Sequence, residues 1–69
     1  MKCVLEIPDR QQWFAGSELG GIVLTGDVTN ARRMSYPDAA DCREWVARRS
    51  GIAKSEIKVV PAPEQGATI

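Results

Sequence analysis

There is no histidine among the 69 residues of this chain. Without an imidazole there is no Ser–His or Cys–His pair, and no side chain whose ordinary pKa lies near neutrality. The commonest forms of nucleophilic and acid–base catalysis are therefore not expected, and neither is any cofactor. Cysteine is scarce too, with only Cys3 and Cys42. Two thiolates fill half of a tetrahedral shell, so a zinc site is not expected either. The two cysteines lie on segments expected to pack together, and reduced core thiols are the simpler expectation over a disulfide. Net charge is absent as well, nine Lys and Arg balancing nine Asp and Glu. A general nucleic-acid binder usually carries a strongly basic domain, which this chain lacks. No apolar run is long enough for a signal peptide or a membrane span, and the opening MKCVLEIPDR has a single lysine. The expected location is the cytoplasm, with no membrane partner. There is no internal repeat and no low-complexity segment.

What is present is organised around residues 35–60, SYPDAADCREWVARRSGIAKSEIKVV. Ser35 stands three residues before Asp38, a capping-box spacing, and Pro37 suits the first turn of a helix. Ala39, Cys42 and Val46 recur on one helical stripe with Trp45 beside it, while Asp41, Glu44 and Arg48 take the opposite face. Asp38 and Asp41 sit toward the amino end and Arg48 and Arg49 toward the carboxyl end, as the helix dipole prefers. Gly51 supplies a left-handed stop, after which Ile52 can fold back on Val46 or Ala47. Residues 56–60 then alternate as a strand, Ile57 and Val59 on one face, Lys58 and Val60 on the other.

Taken in order, residues 2–7 alternate as a first strand with Cys3, Leu5 and Ile7 facing the core, and Pro8 ends it. Residues 9–20 hold the only adjacent aromatic pair, Trp13 and Phe14, together with Gly16 and Gly20, and admit a short strand, a helical turn or a loop. Residues 21–25 are rich in β-branched side chains and read as a strand. The turn chemistry of residues 26–30 suggests a hairpin loop leading to a strand over 31–36, with Met34 and Tyr36 inward and Arg33 outward. The expectation is one α+β domain over residues 1–61 with a frayed tail at 62–69. Its sheet has three or four strands in the order β-β-β-α-β, antiparallel or mixed, with the helix on one face. The other face, with Val4, Val23 and Val60 among polar residues, is expected to be partly exposed.

No constellation of residues carries chemistry. Asp38, Asp41 and Glu44 fall at helical spacing, but they read as a solvated face rather than a metal clip. Gly16, Gly20 and Gly21 are not followed by the Lys-Ser or Lys-Thr pair of a phosphate loop. An enzyme is not expected. Residues 32–58 hold seven basic groups against four acidic ones, which places the arginine pairs Arg32–Arg33 and Arg48–Arg49 among the candidate contact residues. Trp13 and Phe14 complete the candidate partner-binding set, since tryptophan and arginine dominate interface hot spots.

In size and in the order of its elements, including the SYPDAADCREW helix between strands, the chain resembles the small inhibitors encoded by phages and mobile elements, of the anti-CRISPR type. The resemblance implies a stoichiometric blocker of a CRISPR effector complex, acting through a surface that competes with nucleic acid. Two other readings stand beside it. One is a nucleic-acid-binding accessory or regulatory protein using Arg32, Arg33, Arg48 and Arg49; the other is a self-associating structural domain. Monomer and homodimer are both open.

Overall fold

A computed structural model describes residues 2–63, and the elements below are drawn from it. Four strands, β1 (Cys3–Ile7), β2 (Gln12–Glu18), β3 (Gly21–Thr25) and β4 (Lys58–Pro61), surround a single helix in sequence, α1 (Tyr36–Ser50). They form one sheet in the order β3-β2-β1-β4, antiparallel throughout. The expected α+β architecture is thus what the chain adopts, and the last strand pairs antiparallel with the first, Leu5 opposite Val59.

The helix forms where its local signals place it. The Ser35 hydroxyl accepts from the Asp38 N–H at 3.4 Å, and Pro37 sits in the first turn. At the far end Gly51 takes φ +79° and its N–H donates to Ala47 O at 3.0 Å, satisfying one of the carbonyls a helix end leaves open. The Ser50 hydroxyl adds a second latch, donating to Val46 O at 2.7 Å while accepting from Ile52 N at 3.1 Å. Ala39 and Val46 are fully buried and Trp45 and Cys42 half-buried, against Cys3, Leu5 and Ile7 of β1, Phe14 of β2, and Met34, Ile52 and Ile57. Arg43 fastens the helix to the approach to β4, donating to Ile57 O at 2.6 Å and to Lys54 O at 3.0 Å.

The hairpin lies elsewhere than expected. β3 pairs with β2, joined by a two-residue turn at Leu19 and Gly20, and residues 31–36 make no strand. Residues 26–30 fail as a tight loop because their side chains bond their own backbone. The Asp27 carboxylate accepts from Thr29 N at 3.0 Å and Thr29 Oγ1 at 2.7 Å, closing a turn of 3-10 helix over Val28–Asn30. The chain then wedges between the diverging ends of β1 and β2. Arg32 N donates to Phe14 O at 2.9 Å, while Cys3 N donates to Met34 O at 2.6 Å and Met34 N to Cys3 O at 2.9 Å. Met34 points inward as expected. Tyr36 does not: as the first residue of α1 it is 63% exposed.

The sheet face away from α1 is uncovered by any helix, yet Val4 on it is only 1% exposed, against the expected partial exposure. Alternation from Met34 puts Arg33 on that face, and its guanidinium donates to Pro63 O at 2.7 Å, just beyond β4. The bond ties the segment before α1 to the end of β4. Val23 and Val60 are half-buried, as expected. The Ala62 N–H donates to Lys2 O at 2.9 Å, carrying the β1–β4 pairing one residue further. The remainder of the tail expected to fray, residues 64–69, lies outside the described residues.

A β-carbon at Gly51 would meet nothing within 4 Å, so only the left-handed backbone opposes a side chain there. Gly51→Ala should therefore lower stability by about 1 kcal/mol, read as a lower denaturant midpoint with unchanged slope. A neutral result would place the end of α1 beyond residue 51.

Candidate functional site at the hairpin tip

The proposed contact residues do not form one surface. Trp13 and Phe14 are neighbours on β2, not on a loop, so they leave opposite faces of the sheet. Phe14 is 3% exposed and meets the Trp45 ring edge to face, with centroids 6.3 Å apart at 78°. Trp13 is half-buried on the other face, opposite Glu6 of β1 and Thr25 of β3.

The arginines are likewise dispersed. Arg33 donates to Pro63 O at the β4 edge, whereas Arg49 donates to Gly20 O, beside β3, at 2.7 Å. β3 and β4 are the two edges of the sheet, so these cations hold opposite sides of the molecule. Arg48 is exposed and 4.0 Å from Glu44, an i,i+4 pair worth a few tenths of a kcal/mol at most. Arg32 is exposed, its guanidinium beside Gly16 and within Coulombic reach of Cys42. Burial pushes the Cys42 thiol up, and the Arg32 charge opposes that only in part. Both cysteines are free, Cys3 buried and Cys42, contrary to expectation, only half-buried. On the helix face, Cys42 lies among side chains and not within the closed core.

What the structure brings together is a stack at one end: Phe14 against Trp45, the Arg49 guanidinium 5.4 Å from the Trp45 ring centroid, and Arg49 on the Gly20 carbonyl. Each aromatic or cation–π contact contributes about 1 kcal/mol. Together they clamp the β2–β3 turn onto α1. On this clamped turn stands Leu19, as exposed as in an extended chain (104%) and held at φ +52°, followed by Gly20 at φ +79°. Two consecutive positive φ values define the mirror-image turn that fits hairpin twist, for which Asn-Gly is the favoured pair. Leucine there is strained by about 1–2 kcal/mol and buries nothing in return.

Among the described residues no group of three His, Cys, Asp or Glu side chains could hold a metal. Among the described residues no polar or charged one is buried. A shallow depression of about 350 Å³ lies between Pro8, Asp9, Ser55, Glu56 and Lys58. No described helix is long and apolar enough to cross a membrane. Compared with known proteins, the chain matches no family model, no curated protein and no solved structure.

Two measurements check this geometry. Phe14→Ala should cost about 3–5 kcal/mol of stability, as a buried aromatic does, and Trp13→Ala distinctly less; equal losses would put both rings in the core. In the native state Cys42 should react slowly with a thiol reagent and Cys3 only after unfolding. Two equally fast native thiols would contradict the burial.

Proposed function

We propose that the chain is a non-enzymatic protein-binding module that presents the tip of its β2–β3 hairpin to a protein partner. One observation carries this reading: a fully exposed leucine kept in a left-handed turn position that asparagine or glycine fills at lower cost. Strain without a structural return gathers at functional sites. The tip is also prepared for binding, since the Arg49–Trp45–Phe14 stack fixes it in advance and spares a partner the cost of ordering it. Arg49 beside the turn supplies a polar neighbour for an apolar anchor.

The narrower reading is a stoichiometric inhibitor of a CRISPR effector complex, acting in the cytoplasm. Its support is the size of the chain and the order of its elements, and the exposed apolar anchor suits a blocking surface. The nucleic-acid reading loses ground on the arginines, because Arg33 and Arg49 each donate to a backbone carbonyl, which leaves only Arg32 and Arg48 of the two pairs without such an anchor.

Leu19→Asn separates structure from binding at this position. It should raise stability by about 1 kcal/mol, because asparagine tolerates the left-handed region. In the same variant, affinity for a purified effector complex should fall by more than about 2 kcal/mol, roughly thirtyfold. Unchanged affinity would remove the hairpin tip from the interface. Titration with duplex DNA and single-stranded RNA at increasing salt supplies the other arm: tight binding that falls steeply with salt would transfer the function to nucleic acid.

A further inference from the structure

The two edges of the sheet are built differently. β4 carries Lys58 and ends on Pro61, with Pro63 following. A charge and missing N–H groups are ordinary guards against strand addition, and Arg43 covers the carbonyls of Lys54 and Ile57 where the chain enters β4. β3 has none of these. It reads GIVLT, with no charge and no proline, and its irregularity with β2 lies on the β2 side, between Phe14 and Gly16.

Which backbone groups β3 turns outward follows from the hairpin. Glu18 and Gly21 flank a two-residue turn and so exchange hydrogen bonds with each other. Antiparallel pairs then alternate, so Gly21 and Val23 bond inward to β2, and Ile22 and Leu24 aim their N–H and C=O groups away from the sheet. Among the described residues, none of the hydrogen bonds outside the strand ladders reaches Ile22 or Leu24.

We infer that β3 is a self-association edge, pairing antiparallel with β3 of a second copy about a two-fold axis at Val23. In that register Ile22 of each copy faces Leu24 of the other, and both outward N–H and both outward C=O groups of each strand find partners. Val23 meets Val23 in the close, non-hydrogen-bonded position, a favourable β-branched pair. The side chains of Ile22 and Leu24, half-buried beside the core, come to lie against one another across the seam. An uncharged strand brings no like charges together. Continued past the strand ends, the register sets Gly20, whose carbonyl holds the Arg49 guanidinium, opposite Gly26 and next to Asp27 of the second copy, so opposite charges meet at each end. These complementarities favour a second copy over an unrelated strand. Pairing along a five-residue strand buries less than the roughly 1,200 Å² typical of stable complexes, so the dimer is a reversible one. It sets the two hairpin tips at opposite ends of one continuous sheet, each beside residues 26–27 of the other copy.

Sedimentation equilibrium of the wild type should show a monomer–dimer equilibrium in the micromolar to millimolar range. Val23→Lys places two ammonium groups across the axis and should raise the dissociation constant by at least about tenfold, with the melting cooperativity of the monomer retained. In a Cys42→Ser background, Val23→Cys should cross-link to a covalent dimer on mild oxidation, because only this position faces itself across the seam, whereas Thr25→Cys should not. A wild type that stays monomeric at millimolar concentration overturns the inference, as do equal cross-linking of the two cysteine variants or a Val23→Lys variant that dimerises like the wild type. Should Val23→Lys fail to fold, the cross-linking pair decides.

Discussion

A single helix of 15 residues has to cover a sheet of four strands, and that constraint shapes the rest of the molecule. A chain this short buries only about 60% of its unfolded surface, so it cannot build a second layer. α1 is therefore spent on one face, where Ala39 and Val46 close over Leu5, Ile7 and Ile57. The opposite face has no helix, and there Arg33, held by the Pro63 carbonyl, ties the segment before α1 to the end of β4. The same economy appears at the hairpin, where Arg49 and Trp45 of α1 reach out to secure the β2–β3 turn. Long side chains do at the margins what extra elements do in larger domains.

How far this was legible in the sequence depends on where the information resides. The α1–β4 unit was readable because its signals are local and agree: Ser35 as cap, Pro37 in the first turn, an apolar stripe through Ala39, Cys42 and Val46, and Gly51 at the stop. The region before it was legible only in part, for equally physical reasons. β2 carries a register shift between Phe14 and Gly16, which breaks the alternation that marks a strand. Its turn uses Leu19-Gly20 where the sequence signal expected is Asn-Gly. Gly26-Asp27 offered that signal instead, but Asp27 and Thr29 bond to each other and close a 3-10 turn. A turn-like composition specifies that the chain bends, not which bend it makes.

The contact residues were harder still, because an arginine's role is decided by what lies within reach of a side chain about seven ångströms long. Arg33 and Arg49 proved to be donors to main-chain carbonyls at opposite sheet edges, and no sequence spacing distinguishes such a fastener from a free cation. The aromatic pair was partly legible: once β2 is a strand, adjacency alone sends Trp13 and Phe14 to opposite faces. Leu19 went unnoticed because a lone leucine before a glycine pair carries no signal until its φ and exposure are known.

Leu19 and β3 together bear on why so small a domain keeps features that weaken it. A left-handed leucine strains the turn, and an unguarded strand edge invites association. Neither is forced by the fold. Asparagine at the turn, or a lysine within β3 like Lys58 in β4, would be compatible with the same pairings. For a domain with a narrow margin of stability, retaining both at one corner is difficult to explain by folding alone. It is readily explained if that corner is the part of the molecule that meets other molecules: the tip a foreign protein, the edge a second copy of the chain. The opposite corner, with Lys58, Pro61 and the Arg43 clasp, then serves as the internal reference. There the same chain carries the guards against strand addition that β3 lacks.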